Sequence, residues 1–318
     1  MSADEIVCRD LNAALGDWRG QGFQLESLYP ADDPHTAILS RDGAKLRLTT
    51  RPGEPPLLDR LPSFQPEFVL TRGGASGQGR AGMRYRDLIP GRLGGRYIAS
   101  HITIADGGPV ADWVHYHAVA WQMIYVHSGW VRVVYEDQGE PFVMHPGDLV
   151  LQPPFIRHRV LESSPGLEVI EIGCPAVHKT LSEHDLALPN GVNAGRHFAG
   201  QRFLHHVAKR TPWTPYDGGE AQETAMLQAT GGLADVRIVR SIGGSPIHFP
   251  GHDGELVFGF VLNGSARLEH REGLDLDAGD AFVIPPGEAW SVGDPSSGFM
   301  LLHVATGIMP ERIPVETA

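Results

Sequence analysis

Two histidines one residue apart, His115 and His117, open the run "HYHAVAWQMIYVHSG", in which Gln122 follows and Gly129 closes. In an extended strand, residues two apart project from one face, so these two imidazoles can share one ion. Gln122 lies an odd number of residues from His117 and joins that face only if the chain turns in between. A tight turn is expected at "AVAW". A third imidazole is expected from His158 in "GDLVLQPPFIRHRV", where Gly147 and Pro153 set a hairpin and His158 stands on the returning strand. Three neutral imidazoles leave a divalent ion its full formal charge, which favours an anionic, chelating substrate. Imidazole-rich sites suit iron, zinc, nickel or copper. Gln122 either ligates the ion or hydrogen-bonds a ligand or substrate.

Such a site needs a rigid frame of short strands, and the chain announces one. It holds 39 glycines and 25 prolines, a composition usual where many short strands meet at turns. A weak internal repeat runs through the C-terminal three-quarters. The first copy is "GWVRVVYEDQGEPFVMHPGDLVLQPPFIRHRV" and the second "GSARLEHREGLDLDAGDAFVIPPGEAWSV". Each reads glycine, strand, turn, strand, "GD", a few apolar residues, "PP" and a further strand. Two small β-barrels in tandem are the natural inference.

These residues resemble the cupin superfamily, whose first motif is G(x)5HxH(x)3-4E(x)6G and whose second is G(x)5PxG(x)2H(x)3N. His115, His117, Gln122 in place of the Glu, and Gly129 match the first; Gly147, Pro153 and His158 match the second, with Phe155 replacing the usual Gly and no terminal Asn. The resemblance spans about residues 80 to 310. It implies a mainly β fold of two jelly-roll barrels, a divalent metal held by His115, His117, His158 and Gln122, and Fe(II) first among candidates, with Zn, Ni or Mn as alternatives. Three-His iron sites in this superfamily resemble those of dioxygenases that cleave enols, diketones or hydroxylated aromatic acids. A metal-dependent oxygenase of that kind, with a small-molecule substrate, is therefore the first expectation. The alternatives are a lyase, isomerase or cyclase using Zn or Ni as a Lewis acid, with Tyr116, Tyr125 or His101 as general base, and a non-catalytic binding protein.

The second copy departs from the motif. Aligning Gly264 with Gly129 puts Pro250, His252 and Val257 where His115, His117 and Gln122 stand, and aligning Gly279 with Gly147 puts Trp290 at the place of His158. Even with His248 from a shifted register, the ligand set is incomplete, so this barrel is expected to be structural, an interface or a lid. In the first barrel, Trp113, Trp121 and Phe155 are candidates to wall an apolar pocket or to be plain core. His127 and Tyr125 are expected to pack between sheets or at an oligomer contact, His101 in core or surface, and Arg157 in an ion pair.

Residues 1–55 read as a β-α-β-β unit: the strand "EIVC", Asp10 as N-cap of a helix carrying Leu11, Leu15 and Trp18, and two runs flanking the Asp42-Gly43 turn signal. The pattern resembles half of a glyoxalase or vicinal-oxygen-chelate domain, and a docking or dimerisation module is the expectation for it. Residues 56–79 read as a linker with a boundary near 75, residues 80–195 as the metal-bearing barrel, and residues 196–318 as the degenerate one. A formal charge of -12 argues against nucleic acid and anionic membrane surfaces as partners. The acidic N-terminus without an apolar run, the absence of a span of transmembrane length and only two cysteines, Cys8 and Cys174, point to a cytoplasmic protein. A homodimer or higher homo-oligomer is the expected assembly. No GxSxG, Walker or dinucleotide signature supports other chemistry.

Overall fold

The computed structural model describes residues 4–55, 57, 59–74, 77–78 and 83–316; the boundary expected near residue 75 lies outside them. Strands dominate. The two barrels each pair a seven-stranded sheet with a second, facing sheet. In the first barrel the seven-stranded sheet centres on Trp121–Ser128 and Leu167–Cys174; in the second, on Val257–Asn263 and Met300–Thr306.

These central strands carry apolar residues on both faces because both faces are largely buried. Along Trp121–Ser128, the residues Trp121, Met123 and Tyr125 face the second barrel, whereas Ile124 and Val126 face the interior of their own. Phe258, Phe260, Val304 and Leu302 meet them from the other side, so the barrels pack through one continuous apolar layer. A buried ion pair fastens the same seam. Arg96 donates from Nε and Nη2 to Glu255 at 2.8 and 2.7 Å, and Glu255 also accepts from the Tyr97 hydroxyl and from the Met309 amide.

The repeat seen in the sequence has a physical cause at two positions. Gly129 and Gly264 adopt φ of 74° and 76°, a region that penalises a Cβ, and in each case a serine caps the turn. Ser164 Oγ accepts from the Trp130 amide at 2.9 Å, and Ser296 Oγ accepts from the Ser265 amide at 2.8 Å. The two "GD" pairs are likewise equivalent, since Asp148 accepts from the His145 amide and Asp280 from the Asp277 amide. Gly287 (φ 77°) matches Phe155 (φ 64°), so Phe155 bears a left-handed backbone that bulky residues rarely adopt.

The N-terminal unit contains the expected helix, Leu11–Gly20, capped by Asp10, whose side chain accepts from the Ala13 amide at 3.0 Å. Asp42 and Gly43 both have positive φ, as a tight hairpin between Thr36–Arg41 and Ala44–Thr49 requires. The structure adds one strand, Gln24–Tyr29, whose period-two pattern is interrupted by a bulge between Leu25 and Ser27. That strand pairs with Thr180–Ser182, which pairs in turn with His115–His117. A single ten-stranded sheet therefore runs from the N-terminal unit into the wall of the first barrel. Two short strands tie the barrels further: Val69–Thr71 edges the second barrel's sheet and Leu204–His206 edges the first barrel's. Among the described residues, no helix is long and apolar enough to cross a membrane.

Candidate metal centre

His115 and His117 occupy a three-residue strand, and His158 begins the neighbouring antiparallel strand directly opposite His115. In place of the tight turn expected there, residues 118–120 form an irregular link with a bend at Ala120, and the Ala118 and Ala120 amides donate to the distant Lys179 and Cys174 carbonyl oxygens. The pleat points all three rings inward; all three are buried, and one nitrogen from each lies within 4.8 Å of the other two. Ring centroids of His115 and His158 stand 4.3 Å apart.

The outer nitrogens decide which inner atoms face one another. His115 Nδ1 lies 2.8 Å from the Trp113 carbonyl oxygen, and His158 Nδ1 lies 3.0 Å from the Ile156 carbonyl oxygen. A carbonyl only accepts, so both Nδ1 atoms carry the proton and both Nε2 atoms offer a lone pair. His117 Nδ1 stands 3.2 Å from Thr180 Oγ1, which completes the pattern if it too donates. The buried Asp112 carboxylate lies 3.4 Å from His115 Nδ1 and accepts from the Val160 amide at 2.9 Å. Such partners fix the ring and raise its basicity toward a cation.

Gln122 shares the cavity with the three histidines. Its Nε2 donates a short hydrogen bond to Glu171, while its Oε1 is buried with no hydrogen-bond partner. An orphaned buried oxygen beside three convergent imidazoles fits a divalent ion or an ion-bound ligand at this place. Glu171 itself is the carboxylate that the motif lacks at position 122. It comes from a different strand, Leu167–Cys174, and faces inward with Leu167 and Val169. That parity within "LEVIEIG" was the available signal for it.

The cavity measures about 90 Å³. Beyond its polar end the walls are Met83, Ile102, Ile124, Val133, Met144 and Leu167. Tyr135 stacks on His158 at 5.4 Å and accepts from Gln152 Nε2 at 2.8 Å; burial pushes its phenol upward.

Several residues weighed in the sequence fall elsewhere. Trp121 and Phe155 do not line the cavity: Trp121 lies in the inter-barrel layer and Phe155 sits over Tyr116. Trp113 tilts against His115 and packs toward the N-terminal unit's core. Of the three proposed bases, Tyr125 belongs to the inter-barrel layer, and Tyr116 lies under the Arg157 guanidinium, 4.0 Å from its ring centre. His101 bonds Glu168 and Arg86 at the seam, where burial lowers its basicity and that of His127. None of them lines the cavity. Arg157 pairs with Glu183 and Glu316, as expected. His178, not singled out by any motif, stands edge-on to His117 at 5.2 Å.

The second barrel is plugged. Phe249 and Trp290 stack at 4.0 Å with ring planes 9° apart where the first barrel has its site, and His303 packs against both. Burial first, then the Arg237 and His252 charges, lowers His303 to about 3. His248 is exposed. His115, His117 and His158 form the one metal-ligating group of three among the described residues.

Comparison with known proteins agrees with this geometry. The family described as "Cupin domain" matches residues 100–172. No curated protein matches the chain. Among solved structures, a protein of Pseudomonas aeruginosa described as glyoxylate-induced aligns with a TM-score of 0.56 at 14% identity, covering 84% of this chain and 96% of that one. A variant of Bacillus subtilis oxalate decarboxylase gives 0.54 at 12% identity, covering 82% and 81%. A variant of salicylate 1,2-dioxygenase from Pseudoaminobacter salicylatoxidans gives 0.53 at 17%, covering 70% and 75%. At these identities the likeness is one of fold.

Proposed function

We propose, from the premise that this chain is a two-barrel protein of the cupin fold, that it is a metal-dependent oxygenase acting on a small enolic, diketone or hydroxylated aromatic acid substrate. The observation that carries the reading is the convergence of three imidazole nitrogens at the polar end of an otherwise apolar cavity. His115, His117 and His158 would hold the ion, Fe(II) in this reading, with Zn, Ni or Mn as the alternatives. Three protein ligands leave half of an octahedral set open, enough for a bidentate substrate and dioxygen, and the ion supplies Lewis-acid and redox chemistry when bound. The chain's own residues do the rest. Carbonyl oxygens and Thr180 orient the rings, Gln122 presents its carbonyl oxygen, and the apolar walls exclude water from the reacting atoms.

One observation favours a second reading, a redox-neutral lyase, isomerase or cyclase. Glu171 is a carboxyl group inside the cavity and beside Gln122, where a general base for proton removal would stand. Metal analysis of protein purified without added metal, followed by oxygen-electrode measurements with candidate substrates, separates the two. Iron with substrate-linked oxygen uptake supports the oxygenase. Tightly held zinc and turnover without oxygen uptake support the second reading, and protein without metal refutes both.

A further inference from the structure

Two register pairs bring a phenol to the edge of the metal centre. Tyr135 lies directly opposite His158 on the neighbouring antiparallel strand, and Gln152 lies directly opposite Gln122. Directly opposed residues project from the same face of a sheet, so the phenol stands beside His158 and the Gln152 amide beside Gln122, and all four line the cavity. The hydrogen bond from Gln152 Nε2 to the Tyr135 hydroxyl, at 2.8 Å, therefore runs from one wall of the barrel to the other next to the three imidazoles. An amide nitrogen only donates, so the phenol oxygen is the acceptor in that bond and its own O–H points elsewhere. Gln152 is the one hydrogen-bond partner of this hydroxyl among the described residues. The ring cannot swing away to find another: it stacks on His158 at 5.4 Å and on Phe142 at 5.9 Å, tilts against Phe203 at 4.7 Å, and is buried. A buried donor costs stability until an acceptor reaches it.

We infer that the Tyr135 hydroxyl is a ligand-contacting donor of this site, which selects molecules carrying an anionic or strongly polarised oxygen and holds that oxygen beside the ion. The inference rests on the metal-site reading above and narrows its ligands to enolates, hydroxy-carbonyl anions and carboxylates, whose oxygens accept. A neutral nitrogen base has only an N–H left once its lone pair is on the ion, and gains nothing from Tyr135. An enolic substrate gathers negative charge on oxygen as it reacts. A donor already fixed in place, inside a largely apolar cavity, stabilises that charge without reorganising.

The test uses the zinc-loaded full chain and two small probes, acetohydroxamate, which binds through oxygens that accept, and imidazole, which binds through a nitrogen, titrated calorimetrically into wild type and Tyr135→Phe. Phe keeps the stacked ring and removes only the hydroxyl. The expected result is a loss of about tenfold in acetohydroxamate affinity at equal zinc content, the size of one hydrogen bond to a charged group, with imidazole held within about twofold. Acetohydroxamate held within about twofold overturns the inference, and so does an equal loss for both probes, which would mark a merely structural role. A second measurement needs no variant. A phenol that begins to donate absorbs further to the red, so acetohydroxamate should produce a red-shifted tyrosine difference band in the wild type and imidazole should not; no such band overturns the inference. Failure of the underlying metal reading is distinguishable, because then the wild type takes up no stoichiometric zinc and His115→Ala changes nothing.

Discussion

Replacing Thr180 with valine tests whether the N-terminal unit's sheet reaches the candidate metal through a single hydroxyl. Thr180 is 1% exposed, its Oγ1 lies 3.2 Å from His117 Nδ1, and its backbone pairs with His117 on one side and Leu28 on the other. Valine keeps the branched shape and removes only the hydrogen-bonding oxygen. A neutral hydrogen bond contributes about 1 kcal/mol, and partners that orient a metal-bound histidine typically account for about 10–100-fold in affinity. The expected loss is about tenfold in zinc affinity, or roughly 1.4 kcal/mol, with one ion per chain still bound at saturation. Competition against a chromogenic chelator measures it, and circular dichroism of the metal-free protein checks that the barrel is intact. An affinity within twofold of wild type, in a folded variant, refutes the argument that Thr180 holds His117 for the ion.

Three further outcomes follow from the same geometry. Alanine at His115, His117 or His158 should remove most bound metal, while alanine at His252 should leave stoichiometry unchanged; a halving on losing His252, by elemental analysis, contradicts the plugged second barrel. Gln122→Glu sets two carboxylates against each other, a repulsion of up to about 5 kcal/mol at 3 Å and an effective dielectric constant near 20, which a dication relieves. The metal-free variant should therefore melt lower than wild type, gain more in Tm on adding zinc, and turn over substrate more slowly; unchanged turnover at full occupancy would make Gln122 a spectator. His303 is neutral in the fold, its pKa lowered by burial to about 3 from the ordinary 6.5. Below about pH 6.5 the unfolded chain therefore binds a proton that the fold refuses, and stability falls by roughly 1.4 kcal/mol per pH unit down to about pH 3. Denaturant unfolding of His303→Gln at pH 7 and pH 5 should show a smaller loss than wild type.

The clustering of the three histidines was legible because strand periodicity and motif spacing act locally: His115 and His117 lie two apart, and Gly147 and Pro153 place His158 on the return. The plug was half legible, since Trp290 at the place of His158 announces a lost ligand, but Phe249 and His303 join it through pairing across distant strands. Thr180, Asp112 and Glu171 reach the site across strands whose partners no local pattern encodes. The way the N-terminal unit joins the first barrel's sheet was hidden for the same reason. Its strand Gln24–Tyr29 is broken by a bulge, and its pairing with Thr180–Ser182 is a long-range contact that no local pattern announces.

That pairing also sets an order of events during synthesis. Gln24–Tyr29 leaves the ribosome with one edge bare, and its partner strand follows some 150 residues later, about 8–30 s at ordinary elongation rates. The strand bearing His115 and His117 waits as well, because its two neighbours begin at His158 and Thr180. His158 supplies the first neighbour and the third imidazole, and Thr180–Ser182 closes the other edge of the strand that carries His115 and His117. The frame of the site is thus complete only once Thr180–Ser182 has been made, a little past the middle of the 318 residues, and until then the open edge is the place where a nascent copy is most exposed to pairing with the wrong neighbour.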